Sequence, residues 1–142
     1  MKKKTVMLVV GVVVTVTVAI MVIMYREAST SGGREIGLRL LNEQRDYKLA
    51  LVNLRQFGRP EDMKSIAPLL DNGDPDVQAH AILTMETLSG HSIPVPAQLS
   101  GTGKESATVS CGLRTDQKDA FNLYVSGWKD WWNRQQEVGH VR

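Results

Sequence analysis

The chain has 142 residues, 42% of them hydrophobic, and a formal net charge of +2. So small an excess of positive charge, spread along the chain without a basic face, excludes a nucleic-acid binder. A single cysteine, Cys111, excludes an internal disulfide framework.

The first predicted element is a membrane span. Three lysines, Lys2, Lys3 and Lys4, precede an uncharged run from Thr5 to Tyr25. About twenty helical residues cover the roughly 30 Å of a hydrocarbon core. Valine and threonine dominate the run, and a lone segment in lipid must satisfy its own backbone as a helix. Tyr25 and Arg26 stand where an interfacial aromatic and a charge belong. Residues 1–4 are read as the cytoplasmic basic N-terminus and 5–25 as a signal-anchor helix. The positive-inside rule then puts the rest of the chain outside the cytoplasm, in a single-pass protein of the cell membrane. The alternative is a cleaved signal peptide, with small residues such as Ser29 and Ser31 beyond the run. Within the span, Gly11, Thr15 and Ala19 recur every four residues and form a small-residue face, a candidate for homodimer packing.

Residues 26–33, rich in small residues, are read as a flexible tether. From 34 to 90 the apolar residues take helical spacing. Ile36, Leu38, Leu40 and Leu41 begin a helix near Arg34. Tyr47, Ala50, Leu51, Leu54 and Phe57 form the apolar face of the next. Gly58 stops it, and Pro60 stands where a new helix can begin. Met63, Ile66, Ala67, Leu69 and Leu70 form a short third helix.

The stretch Asp71, Asn72, Asp74 and Asp76 carries four oxygen-bearing side chains in six residues. A calcium loop of EF-hand type counted from Asn72 needs glycine where Val77 stands and glutamate where Leu83 stands. The better reading is a helix start. Asp74 is the N-cap, Pro75 takes the first helical position, and Asp76 suits the positive end of the helix dipole. Val77, Ala81, Met85 and Leu88 form the apolar face of this fourth helix, with Ile82 beside them.

Two helix pairs suggest a repeat. Shifting the chain by 31 residues aligns Ala50 with Ala81, Leu51 with Ile82, Val52 with Leu83, Leu54 with Met85 and Phe57 with Leu88. The stretch from Asp74 to Gly90 resembles the second helix of a HEAT repeat, in the short form also found in phycobilisome-lyase-like proteins. Asp74, Pro75, Val77, Ala81 and Leu88 match that motif. Gln78 stands where the family usually has an arginine that bonds between neighbouring repeats. In the first unit Glu43 and Gln44 fall at the Asp-Pro position and Asp46 at the valine. The resemblance implies an α-solenoid of about two units. It also carries an enzymatic alternative, a chromophore lyase, because some relatives have that activity.

Residues 91–115 have no helical period and are read as a long loop. Residues 116–136 resume helical order, with Asp116 as N-cap. Phe121, Tyr124, Val125, Trp128, Trp131 and Trp132 share one face of it. Each tryptophan can bury about 150–250 Å², which suits a lid on the open end of a short solenoid. Trp128, Trp131 and Trp132 are also interface candidates, since tryptophan anchors dominate many interfaces. Residues 137–142 are read as a frayed tail.

His80, His91 and His140 have no second ligand at metal spacing, and no nucleophile motif or phosphate loop is present. A Cys111–His91 pair, brought together across the 91–115 loop, is the one catalytic arrangement the sequence leaves open. No cofactor is called for. The expectation is an all-α, membrane-anchored adaptor or scaffold without catalytic activity. It comprises an N-terminal span, two HEAT-like helix pairs and a tryptophan-rich capping helix, with the bilayer and an unidentified protein as partners. A soluble exported binding protein is the alternative after cleavage.

Overall fold

The structure, a computed structural model, describes residues 15–22, 31–100 and 109–139. It is mostly helical. Helix α1 is residues 15–22 and α2 is residues 31–42. Helix α3 spans Tyr47–Phe57. A broken helix follows: a 3-10 turn at Pro60–Asp62, α4 at Met63–Ile66, and a second 3-10 turn at Ala67–Asp71. Pro68 explains the break, because it removes a donor and crowds the preceding turn. Helix α5 spans Pro75–Ser89 and α6 spans Lys118–Gly139.

Among the described residues no helix is long and apolar enough to cross a membrane. Helix α1 belongs to the run read as a span over 5–25. The rest of that run, residues 5–14 and 23–25, lies outside the described residues, as do residues 1–4 and 26–30. Of the tether read over 26–33, residues 31–33 are helical and belong to α2.

The reason lies in the glycines. A Cβ on Gly33 would run into the ring of Phe57, and one on Gly37 would fall 2.9 Å from Cγ of Leu54 and 3.1 Å from the Ala50 carbonyl. Two glycines one turn apart thus let α2 lie directly on α3. They act as contact points, not as hinges.

Helices α2 and α3 form one hairpin, and residues 60–71 with α5 form a second. The second helices, α3 and α5, pack closely on each other. Three of the residue pairs expected from the repeat are buried alike, Ala50 with Ala81, Leu51 with Ile82, and Leu54 with Met85, none more than 1% exposed, whereas Val52 is 39% exposed and its counterpart Leu83 is half-buried.

The helix starts follow a different offset. Asp46 caps α3, its carboxylate accepting from the Leu49 amide at 3.1 Å. Asp74 caps α5, accepting from the Asp76 amide at 2.9 Å, with Pro75 at the first helical position. The two caps are 28 residues apart, not 31, so the first unit begins at Asp46 and not at Glu43. An offset three residues different leaves the same helix face apolar, so the apolar pattern alone does not fix the register.

Within the 91–115 stretch the described residues, 91–100 and 109–115, carry regular structure that the loop reading did not expect. Ala97–Leu99 forms a 3-10 turn, and strands β1 (Val109–Ser110) and β2 (Leu113–Arg114) pair antiparallel, with a further bridge from Ser100 to Leu113. Leu99 and Leu113 are buried in the core. The hairpin turn is Cys111–Gly112, with φ of 53° and 80°. Two positive φ values in a two-residue turn match the twist of paired strands. A small hairpin thus joins the helices expected of an all-α chain. Helix α6 packs on the Ala67–Asp71 turn and on α5, and it stays helical to Gly139, beyond the expected end at Gln136.

Candidate functional site

Three regions bear on function: the tryptophan cluster, the seam between the hairpins and the exposed apolar surface.

The tryptophans divide by depth. Trp128 is fully buried beside Phe121, Tyr124 and Val125, while Trp131 and Trp132 are half-buried. His91, just past the α5 cap Gly90, stacks flat on Trp131 with centroids 4.7 Å apart. It also meets Trp128 edge-on at 5.7 Å, and Trp128 meets Trp131 edge-on at 5.4 Å. The Tyr124 hydroxyl donates to the Ile93 carbonyl at 3.4 Å. Burial pushes that hydroxyl's pKa up. The Trp128 indole N–H acts the other way on Tyr124, but it falls short of hydrogen-bond geometry with any acceptor. Lys129 pairs with Asp71 at 2.6 Å and fastens α6 to the second hairpin. Trp132 walls an open groove of about 340 Å³ floored by Ala67 and Leu70, with Lys64 and Lys129 at its rim.

The seam is held at both ends by ion pairs. Arg34 of α2 grips Asp62 with two hydrogen bonds, Nε to Oδ2 at 2.7 Å and Nη2 to Oδ1 at 2.5 Å. The Arg59 amide also donates to Asp62 at 2.8 Å. Burial alone would raise the Asp62 pKa. The Arg34 guanidinium and the Arg59 amide outweigh it and hold the carboxyl below its ordinary value. Lys48 of α3 pairs with Asp76 of α5. Arg34 and Asp62 are 28 residues apart, and so are Lys48 and Asp76, in register with the caps. Between them Thr84, fully buried, donates to the His80 carbonyl at 2.8 Å and lies 3.3 Å from the Leu51 carbonyl. Gln78, at the place of the family's arginine, donates instead to the Leu70 carbonyl at 2.9 Å, within its own hairpin.

The oxygen-rich stretch is thereby spoken for. Asn72 accepts from the Asp74 amide at 2.9 Å, Asp74 caps α5, and Asp71 and Asp76 engage Lys129 and Lys48. Among the described residues no group of three His, Cys, Asp or Glu side chains could hold a metal ion.

Of the other sequence-predicted residues, Asp74 and Pro75 stand at the head of α5. Thr15 and Ala19 lie one turn apart on α1, both exposed, and Gly11 lies outside the described residues. Cys111 holds the hairpin turn, while His91 is built into the tryptophan cluster. Asp116 sits two residues before α6, and its carboxylate accepts from Arg114 Nη2 at 2.8 Å.

The sequence reading missed Gly33 and Gly37, whose four-residue spacing before an apolar helix was the available signal. It also missed the two ion pairs at a common offset. The His91–Trp131 stack has no local signal, because the two residues are far apart in the chain.

Comparison with protein-family models, with curated proteins and with solved structures gives no match.

Proposed function

We propose that the chain is a single-pass membrane protein whose extracytoplasmic helical domain is a short HEAT-type interaction module, an anchored adaptor or scaffold subunit. The observation that carries this reading is uncovered apolar surface. All eight residues of α1 are exposed, among them Val16, Val18, Ile20, Met21 and Val22, each more than half so. A helix apolar on every side belongs in lipid. On the first hairpin Ile36, Leu49 and Val52 are 43%, 48% and 39% exposed. Repeat units of this kind bury such faces only against neighbours. The matched burial of Ala50, Leu51 and Leu54 with Ala81, Ile82 and Met85 supports the repeat reading.

The test is alkaline extraction of native membranes, followed by intact-mass measurement of the chain. A photo-crosslinking residue at Val52 completes it. The expected result is a chain retaining residues 5–25, resistant to extraction and crosslinked at Val52 to one protein. A soluble form beginning near Gly32 would replace this reading with the exported binding protein. A retained chain without a crosslink at Val52 or at Ile36 would refute the adaptor role alone.

A further inference from the structure

His80 occupies the seam between the two hairpins. Lys48 and Arg55 lie two turns apart on one side of α3 by helical spacing, and Asp76 and His80 lie one turn apart on α5. Lys48 engages Asp76. The Nδ1 atom of His80 is buried without a hydrogen-bond partner, and its backbone carbonyl takes the Thr84 hydroxyl. The charges that act on the ring are both cations, Arg55 and Lys48 of α3. The nearest carboxylate on its own helix, Asp76, is committed to Lys48.

We propose that His80 makes the seam acid-sensitive: its protonation sets a further positive charge beside Lys48 and Arg55 and loosens the packing of α5 on α3. Three features combine. The buried nitrogen has no acceptor to take a proton's hydrogen bond, so the charged form gains nothing inside. The neighbouring charges repel it. The position is structural as well, since α3 and α5 pack closely on each other there.

Burial first, and then Arg55 and Lys48, hold the His80 imidazole below its ordinary value of 6.5. The sign follows from linkage. With the folded-state value below the unfolded one, the neutral ring's contribution is complete above about 6.5. It is lost as pH falls from there through the folded-state value. Each pH unit of that difference corresponds to about a tenfold rise in the opened population.

The experiment is hydrogen exchange on the full chain in lipid nanodiscs at about pH 7.5 and pH 5, corrected for intrinsic exchange rates and read at the α3 and α5 amides. The expected result is acid-induced opening of these two helices in the wild type and its absence in His80→Leu, the residue type that Leu49 supplies at the matching place of α3. His80→Gln is a second neutral replacement and should behave alike, which covers the case in which the leucine variant does not fold. His91→Gln should retain the acid response. The same acid response in wild type, His80→Leu and His80→Gln would overturn the proposal. So would a His80 ring titration, followed by NMR, with its midpoint at or above 6.5.

Discussion

Replacing Trp128 tests whether α6 is part of the core or an ornament on it. The side chain is fully buried. A tryptophan buries about 150–250 Å², and phenylalanine- or tryptophan-to-alanine changes in cores cost about 3–5 kcal/mol. Against this stands the indole N–H, buried without an acceptor. An unsatisfied donor costs about 1–3 kcal/mol, and truncation removes that penalty. Taking the middle of each range, the net expectation for Trp128→Ala is a loss of about 2 kcal/mol, a substantial part of the 5–15 kcal/mol typical of a domain. Trp128→Phe keeps most of the ring and discards the unpaired donor, so it should lie within about 1–2 kcal/mol of wild type. Trp132→Ala, at a half-exposed wall, should cost least. Denaturant unfolding of the full chain in mild detergent, followed by far-ultraviolet circular dichroism, gives all three values. A Trp128→Ala midpoint equal to wild type would refute the reasoning. So would a separate early step that loses only α6, because the helix would then not belong to the same cooperative unit.

Other substitutions follow from the same contacts. Gly37→Leu forces atoms into Leu54 and the Ala50 carbonyl and should cost about 1–3 kcal/mol by the same unfolding measurement. Gly32→Ala meets no neighbouring atom and should stabilise α2 by about 0.5–1 kcal/mol. Asp62 has a folded-state pKa below its ordinary value of 3.8. Its contribution is therefore complete above that value and lost as pH falls through the folded-state one. In Asp62→Asn the acid limb of a stability-against-pH curve should be flatter than in wild type.

Helix existence and helix faces were legible in the sequence because periodicity reports them directly. Ala50, Leu51, Leu54, Ala81, Ile82 and Met85 were read as apolar faces and all are buried. Asp74 and Pro75 were legible because a cap and a first-turn proline act within two residues. What failed was long-range. Gly33 reads as flexible in isolation, and only the nearness of Phe57 makes it a contact point. The β1–β2 turn was illegible because Cys111–Gly112 lacks the Asn or Asp that usually marks a turn with two positive φ values. Leu99 and Leu113 enter the core from a polar stretch in which no period announces them. For the tryptophans, the sequence supplied the shared face but not the depth, which separates Trp128 from Trp131 and Trp132.

The conflict between the two repeat offsets makes a last prediction at the caps. Asp46 and Asp74 do the same job, yet Asp46 has φ of 35° and ψ of 65°, a left-handed backbone, while Asp74 has φ of −93°. A left-handed conformation costs an L-residue about 1–2 kcal/mol, less for aspartate, and nothing for glycine. Glycine at an N-cap loses only a few tenths of a kcal/mol relative to the side-chain cap. Its greater freedom in the unfolded chain costs a further 0.4–1 kcal/mol or about that. At Asp46 the relieved strain offsets both losses, so Asp46→Gly should lie within about 0.5 kcal/mol of wild type. At Asp74 nothing offsets them, and Asp74→Gly should lose about 1 kcal/mol. Equal losses at the two positions would mean that Asp46 is not strained in the folded chain. The two hairpins would then start alike, and the 28-residue register would be a full structural repeat. Unequal losses would mean that the first unit reaches the same register only by a strained turn between α2 and α3. A strained entry of that kind fits a repeat whose core matches at one offset and whose caps and ion pairs match at another.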